Sequence, residues 1–234
     1  RKMDTRDIID CLDFTLLDHE ASEDELISFC TQANSANPAA ICVFSEHQEI
    51  VRKHLNEEIS VAVVAGGFPV GSSSAEEIEI AVRAAVESGT DEVDVVLEPR
   101  DSEDFPNENE LKKLIAMREA AGEAVLKVII EAPLLAEREM RSVARMALAA
   151  GADFIKTCTG RRGSCSDEAA DIFAYEIMRH ELTFKEKRGV KLSGGIRTKE
   201  DVERLTELVN ARDDSIIASS RFRIGASSLL NELI

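Results

Sequence analysis

No stretch of this chain approaches the roughly 18 consecutive apolar residues that a membrane span requires. The segment Arg1 to Asp10 is charged, lacks the apolar centre of a signal peptide, and is not opened by an initiator Met. Cysteine is sparse: Cys11, Cys30, Cys42, Cys158 and Cys165 are odd in number and show no CxxC spacing. That pattern argues against a disulfide framework and for the reduced thiols of a cytoplasmic protein. The histidines His19, His47, His54 and His180 are scattered, with no HExxH motif and no Cys/His cluster, so no metal site is expected. Basic residues are also scarce, 28 Lys and Arg against 45 Asp and Glu, for a net charge of −17. Such a surface repels nucleic acid and anionic membrane, and neither is expected as a partner. It repels an anionic metabolite too, unless the binding pocket reverses the sign locally.

What is present is a recurring unit: a short β-branched run, a turn, then a longer amphipathic stretch. The runs are Ile8 to Thr15, Ile41 to Phe44, Val61 to Ala65, Glu92 to Leu97, Val125 to Glu131, Ala152 to Thr157, Val190 to Ser193 and Ser215 to Ala218. Between them lie stretches rich in Ala, Glu, Leu and Arg, such as Glu76 to Ser88, Leu111 to Ala121 and Glu137 to Ala150. Gly89, Gly122 and Gly151 follow these three and read as C-terminal caps. Strands alternating with helices predict a parallel sheet with helical crossovers, and eight strands is the number that closes a (β/α)8 or TIM barrel. No low-complexity linker divides the chain, so residues 1–234 are expected to form one domain. The other arrangement, an open doubly wound sheet, lacks the GxGxxG turn that usually accompanies it.

Four of the strand-like runs carry an ionisable residue where apolar side chains belong. Asp94 interrupts EVDVVL, Lys127 interrupts LKVIIE, Lys156 follows Phe154 and Ile155, and Lys191 follows Gly189 and Val190. Buried Lys and Asp are rare unless paired or functional. Counted along the chain these are strands four to seven, hence neighbours in a closed barrel, with three ammonium groups and one carboxylate in a confined space. Desolvation and a neighbouring like charge both lower a lysine pKa. A neutral amine is the nucleophile that imine formation needs. A single strand lysine is ordinarily a snorkelling residue, and a purely structural ion-pair network accounts for charged groups of this kind too.

Three later strands run into loops of small residues: TCTGRRG from Thr157, SGGIR from Ser193 and GASS from Gly225. Glycine lets backbone N–H groups approach an anion closely, and the hydroxyls add donors. Ser227 and Ser228 open the last amphipathic stretch, Leu229 to Ile234. Arg161, Arg162 or Arg197 is the candidate for local positive charge. A further loop, GGFPVG from Gly66, reads as a rigid turn.

Taken in order and spacing, DFTL from Asp13, AAIC from Ala39, GFPVG from Gly67, DEVDVV from Asp91, LKVIIE from Leu126, GADFIKTCTG from Gly151, KLSGGIR from Lys191 and GASSLL from Gly225 resemble the deoxyribose-phosphate aldolase family. The resemblance spans nearly the whole chain. It implies a class I aldolase without metal or organic cofactor, in which Lys156 forms a Schiff base with an aldehyde. Lys191 would be the second lysine, depressing the pKa of Lys156 and sharing in proton transfer, and Asp94 would complete a relay with water. Lys127 and Cys42 would line the pocket, and Asp13 and Thr15 would lie on the substrate's hydroxyl side. Thr157 would contribute to substrate binding, while Gly160, Arg161, Gly194, Gly195, Ser227 and Ser228 would hold a phosphate. The implied substrates are a small phosphorylated sugar and aldehydes, and the implied assembly is a homo-oligomer, dimer or tetramer.

The chain departs from the family pattern in places: Cys158 stands where Ser is usual, Arg161 where Lys often sits, Ala132 in place of Thr, and Leu192 beside Lys191. Other readings of the same residues are a Schiff-base aldolase with another aldehyde pair and an inactive barrel serving as a scaffold. A carboxylate-dependent barrel isomerase is a third, but it leaves Lys156 without a use.

Overall fold

Alternating β-branched and ionic residues in short runs fold here as strands with two different faces. The structure, a computed structural model, describes residues 3–72, 74–99, 107–217 and 220–234. Its strands are β1 (Leu12–Leu16), β2 (Ala40–Phe44), β3 (Ser60–Ala65), β4 (Glu92–Val96), β5 (Val125–Ile129), β6 (Phe154–Lys156), β7 (Gly189–Ser193) and β8 (Phe222–Ala226). Each pairs in parallel with the next, and β8 returns to β1, so the sheet closes into a barrel. The expected (β/α)8 architecture is what forms.

Side chains alternate between the two faces of a strand. Val93 and Val95 of β4, Val128 of β5, Ile155 of β6 and Val190 and Leu192 of β7 belong to the apolar layer between sheet and helices. That layer also takes Ile78 and Val82 from the helix Ala75–Glu87, Val143 and Leu148 from Glu137–Ala149, and Ile172 and Phe173 from Asp167–Phe184. Leu192 therefore faces the helices, and its departure from the family pattern leaves the barrel interior untouched. The helices begin at Ser22, Ser74, Ser166 and Thr198, whose side chains each accept a backbone N–H three residues on. Such caps contribute about 1 kcal/mol apiece. Gly89, Gly122 and Gly151 end three helices at positive φ, as expected.

Two of the expected strands are corrected. Ile8 to Thr15 is divided: Thr5–Asp10 is a helix, started by Asp4 and Asp7 in a capping box, and only Leu12 onward is strand. Ser215 to Ala218 is not the eighth strand: Asp214–Ile217 is a helical turn, Ala218 lies outside the described residues, and β8 begins at Phe222. The apolar Ile216 and Ile217 resemble a strand, but Ile216 packs into the helical layer. The true β8 puts Arg223 and Gly225 where an apolar pattern would be sought.

Candidate active site

Among the described residues the inner face of the barrel carries seven acidic or basic side chains, Asp13, Glu92, Asp94, Lys127, Lys156, Lys191 and Arg223, joined in one network. Strand register places them, with Asp94 opposite Lys127, Lys156 opposite Lys191, and Lys191 opposite Arg223. At the lower level, Arg223 donates to both carboxylate oxygens of Glu92 at 2.8 and 2.9 Å and to Asp13 Oδ1 at 2.7 Å. Lys127 Nζ lies 2.7 Å from Asp13 Oδ2, 2.7 Å from Glu92 Oε1 and 3.1 Å from Asp94 Oδ1. Above it, Lys191 Nζ bridges Asp13 Oδ2 at 2.7 Å and Asp94 Oδ2 at 2.8 Å. Lys156 Nζ reaches the same Asp94 Oδ2 at 3.0 Å. Gly225 makes the crowding tolerable, because a Cβ there would stand 2.8 Å from Lys191 Cε.

Charge counting decides which group gives up its charge. Three carboxylates, Asp13, Glu92 and Asp94, face four basic groups. Arg223 keeps its proton: burial works against its charge, but Asp13 and Glu92 outweigh it and raise its pKa. For Lys191 burial is likewise outweighed, by Asp13 and Asp94, and its pKa is held well above the ordinary value. Lys127 is raised in the same way, by Asp13 and Asp94 with help from Glu92. Those three cations balance the three carboxylates. Lys156 is the surplus amine, and burial followed by repulsion from Lys191 lowers its pKa against the pull of Asp94. An uncompensated charge here would cost several kcal/mol, and Lys156 is the basic group of the network whose proton is held least firmly.

Lys156 and Lys191 form the floor of a cavity of about 210 Å³ at the C-terminal end of the strands, the end where barrels of this type carry their active sites. Thr15 and Leu17 line one side, Thr159, Gly160 and Arg161 the loop after β6, Ser193 to Arg197 the loop after β7, and Gly225 to Ser228 the end of β8. The lining has four basic side chains, Lys156, Lys191, Arg161 and Arg197, and no acidic one among the described residues. In a chain of net charge −17 this is a local reversal of sign. Gly194 and Gly195 hold φ of 99° and 71°, and a Cβ on Gly195 would meet Ser164 Oγ at 2.6 Å, so only glycine fits this turn.

Residues 12–233 match the model of the DeoC/LacD family aldolases. The chain belongs to that family. It is 34% identical over 218 residues to a deoxyribose-phosphate aldolase of Clostridium novyi, covering 93% of this chain and 90% of that one. Among solved structures it superposes on a putative deoxyribose-phosphate aldolase from Coccidioides immitis with a TM-score of 0.81 and 26% identity, covering 99% of this chain and 87% of that one. The tetrameric deoxyribose phosphate aldolase of Aeropyrum pernix gives 0.76 at 26% identity, with 98% and 90% covered.

Within this aldolase the expected site residues separate into two levels. Lys156, Lys191, Thr15, Gly160, Arg161, Gly194, Gly195, Ser227 and Ser228 all line the cavity. Asp94 lies directly beneath, bound to both lysines. Lys127, expected at the pocket wall, and Asp13, expected on the substrate's hydroxyl side, are fully buried below it, because each is consumed by the ion pairs of the lower level. Cys42 is fully buried too, among Phe44, Val64, Val96 and Ile129, and burial raises its thiol pKa. Thr157 turns away from the cavity: its hydroxyl donates to Ser193 O at 2.9 Å and accepts from Ser193 N at 3.0 Å, tying β6 to β7. Arg162 is corrected as a source of charge for an anion, since its guanidinium is taken up by Glu98 and Glu131. Arg161 reaches across the mouth to Leu17 O and lies over the ring of Phe68.

Sequence reasoning missed Glu92 and Arg223. They sit at or near strand starts, where a charged residue ordinarily reaches solvent, and the pair is 131 residues apart in the chain. The GGFPVG turn contains a cis Phe68–Pro69 bond, and its Phe68 ring packs on the apolar side of the mouth. Among the described residues no helix is long and apolar enough to cross a membrane.

Proposed function

We propose that this aldolase reversibly cleaves 2-deoxy-D-ribose 5-phosphate to acetaldehyde and D-glyceraldehyde 3-phosphate, with Lys156 as the nucleophile. The observation that carries the reading is the surplus amine of Lys156 on the floor of a cavity whose rim is basic. Its neutral nitrogen adds to the aldehyde carbon of the open-chain sugar, and uptake of one proton with loss of water leaves an iminium. A base takes the proton from the C3 hydroxyl, the C2–C3 bond breaks, and its electron pair flows into the iminium to give an enamine. Glyceraldehyde 3-phosphate leaves. Protonation of the enamine at C2 and hydrolysis then release acetaldehyde and restore the amine. Asp94 and Lys191, 2.8 Å apart beside Lys156, supply the proton relay through water.

The two poles of the site suit the two products. Leu17, which lines the cavity, packs against the apolar cluster of Cys42, Val64, Val96 and Ile129, which fits a donor carbon without hydroxyl groups. At the other pole, Arg161, the turn at Gly194 and Gly195, and Ser227 and Ser228 offer donors and positive charge to a phosphate. Five free thiols fit a cytoplasmic setting. Assembly into a homo-oligomer is part of the proposal, supported by the tetrameric relative from Aeropyrum pernix.

The test is the cleavage rate with 2-deoxy-D-ribose 5-phosphate for wild type and Lys156→Ala. The proposal requires turnover in the first and a loss of at least about 10⁴-fold in the second. Wild-type protein that is inert toward this substrate would remove it.

A further inference from the structure

One ionic cluster at the barrel mouth takes no part in the chemistry above. Glu131, the residue after Ile130 at the end of β5, is fully buried and holds φ 56° and ψ 54°, left-handed values that residues with a Cβ adopt rarely. Backbone strain of this kind persists where the surroundings fix it, and it concentrates near functional sites. What fixes Glu131 is a carboxylate with every contact directed at the loop after β6. Its Oε1 accepts the N–H of Thr159 at 3.1 Å, and its Oε2 accepts the Thr159 hydroxyl at 2.6 Å. The same hydroxyl accepts the backbone N–H of Arg161 at 3.1 Å. A buried acid thus sets, through one threonine, the backbone on either side of Gly160.

Arg162 completes the arrangement from the other side. Its Nε donates to Glu131 Oε2 at 3.0 Å, its Nη1 and Nη2 to Glu98 at 2.6 and 3.0 Å, and its Nη2 also to Pro69 O at 2.9 Å. Glu98 in turn accepts the N–H of Gly71 at 2.7 Å. One guanidinium on the loop after β6 therefore joins the loops after β3, β4 and β5. Its planar fork matches two carboxylates at once, a geometry that a lysine ammonium does not reproduce. Thr157 and Cys158, which lead directly from Lys156, are held separately by Ser193. The anchor of the nucleophile and the anchor of Gly160 and Arg161 are thus distinct.

We infer that Glu131 and Arg162 are positioning residues for the phosphate pole: acting through Thr159, they hold Gly160 and Arg161 in place and so set the preference for phosphorylated over unphosphorylated sugar. The inference rests on the reading of that pole as a phosphate site. A donor displaced by about 1 Å loses up to roughly 10²-fold in a positioned reaction, and the loss falls on the substrate that uses the donor.

The experiment compares steady-state kinetics on 2-deoxy-D-ribose 5-phosphate and 2-deoxy-D-ribose for wild type, Arg162→Met and Glu131→Gln. Glu131→Gln is the gentler change, because it keeps an acceptor for Thr159 and leaves Arg162 paired with Glu98. It therefore stands on its own if Arg162→Met fails to fold. Expected is a rise in KM for the phosphorylated sugar of about tenfold in Arg162→Met and about threefold in Glu131→Gln, with kcat nearly constant. On 2-deoxy-D-ribose, kcat/KM stays at the wild-type value. An equal fall on both sugars, or a wild-type preference that survives in both variants, overturns the positioning role alone. A wild-type enzyme with no preference for the phosphorylated sugar overturns it together with the phosphate reading.

Discussion

Lys156 and Lys191 face each other across β6 and β7 and share a single carboxylate oxygen, Asp94 Oδ2, at 3.0 and 2.8 Å. Lys191 has a second anion, Asp13, at 2.7 Å, while among the described residues Lys156 pairs with Asp94 alone. The difference of one carboxylate sets two chemically identical side chains apart, with the pKa of Lys191 held well above the ordinary value and that of Lys156 below it.

Replacing Lys191 with Met removes the like charge beside Lys156 and leaves Asp94 in place. The pKa of Lys156 then rises, so its amine stays protonated to higher pH. The acid limb of kcat/KM is expected to move up by about one unit or more, with a loss at neutral pH of about 10²-fold or greater. A pH–rate profile checks this. An unmoved limb would show that Lys191 does not govern the nucleophile.

Asp94→Asn has the opposite electrostatic sign, since Asp94 opposes the depression of Lys156. The amine remains neutral and still condenses with aldehyde, but the relay is broken. Turnover is expected to fall by about 10²- to 10⁴-fold while covalent trapping of acetaldehyde persists. Parallel loss of both would assign Asp94 to imine formation instead.

Arg223→Met and Lys156→Met remove one basic group each, with contrasting results expected in urea denaturation at pH 7. Without Arg223, Asp13 Oδ1 and Glu92 Oε2 lose the guanidinium that donates to them in the barrel interior, and breaking such a buried pair costs about 3–5 kcal/mol. Without Lys156, three cations still balance three carboxylates, so stability is expected to change by less than about 1 kcal/mol. Equal destabilisation would contradict the greater share of the buried pairing assigned to Arg223.

Stability and activity should depend on pH in different ranges. Against the opposing effect of burial, Lys127 and Lys191 hold the pKa values of Asp13 and Asp94 below the ordinary 3.8. Their contribution is therefore present above 3.8 and lost as pH falls through the lower native values. Lys127 and Lys191 are raised above 10.5, so theirs is complete below 10.5 and lost as pH climbs through the higher native values. Denaturant midpoints are expected to be flat between these limits as far as these four groups are concerned, while the lowered pKa of Lys156 makes stability fall as pH drops from 10.5 to its native value and level off below it. Activity should decline toward acid within that plateau, as Lys156 takes up its proton. Coincident loss of both would make unfolding, rather than Lys156, the cause.

Much of this site was legible because an ionic residue inside EVDVV, LKVII, FIK or GVKLS stands out against apolar neighbours, and parallel order makes the four strands adjacent. Arg223 was not legible for the converse reason. In FRIGA the inward face is Arg and Gly, leaving too little apolar pattern to mark a strand, while Ile216 and Ile217 nearby look more strand-like and form a helical turn. Losing Arg223 also meant losing the balance of charge, which cannot be counted until Glu92 and Asp13 are seen to meet it. The burial of Lys127 and Cys42 below the cavity follows from strand register, which periodicity alone does not supply.

The most direct test is to incubate the protein with acetaldehyde, reduce with borohydride and map the adduct by peptide mass spectrometry. The surplus-amine account predicts a two-carbon increment at Lys156, formed faster than at any exposed lysine and absent from Lys127 and Lys191. An untouched Lys156, with label spread over surface lysines, would contradict it.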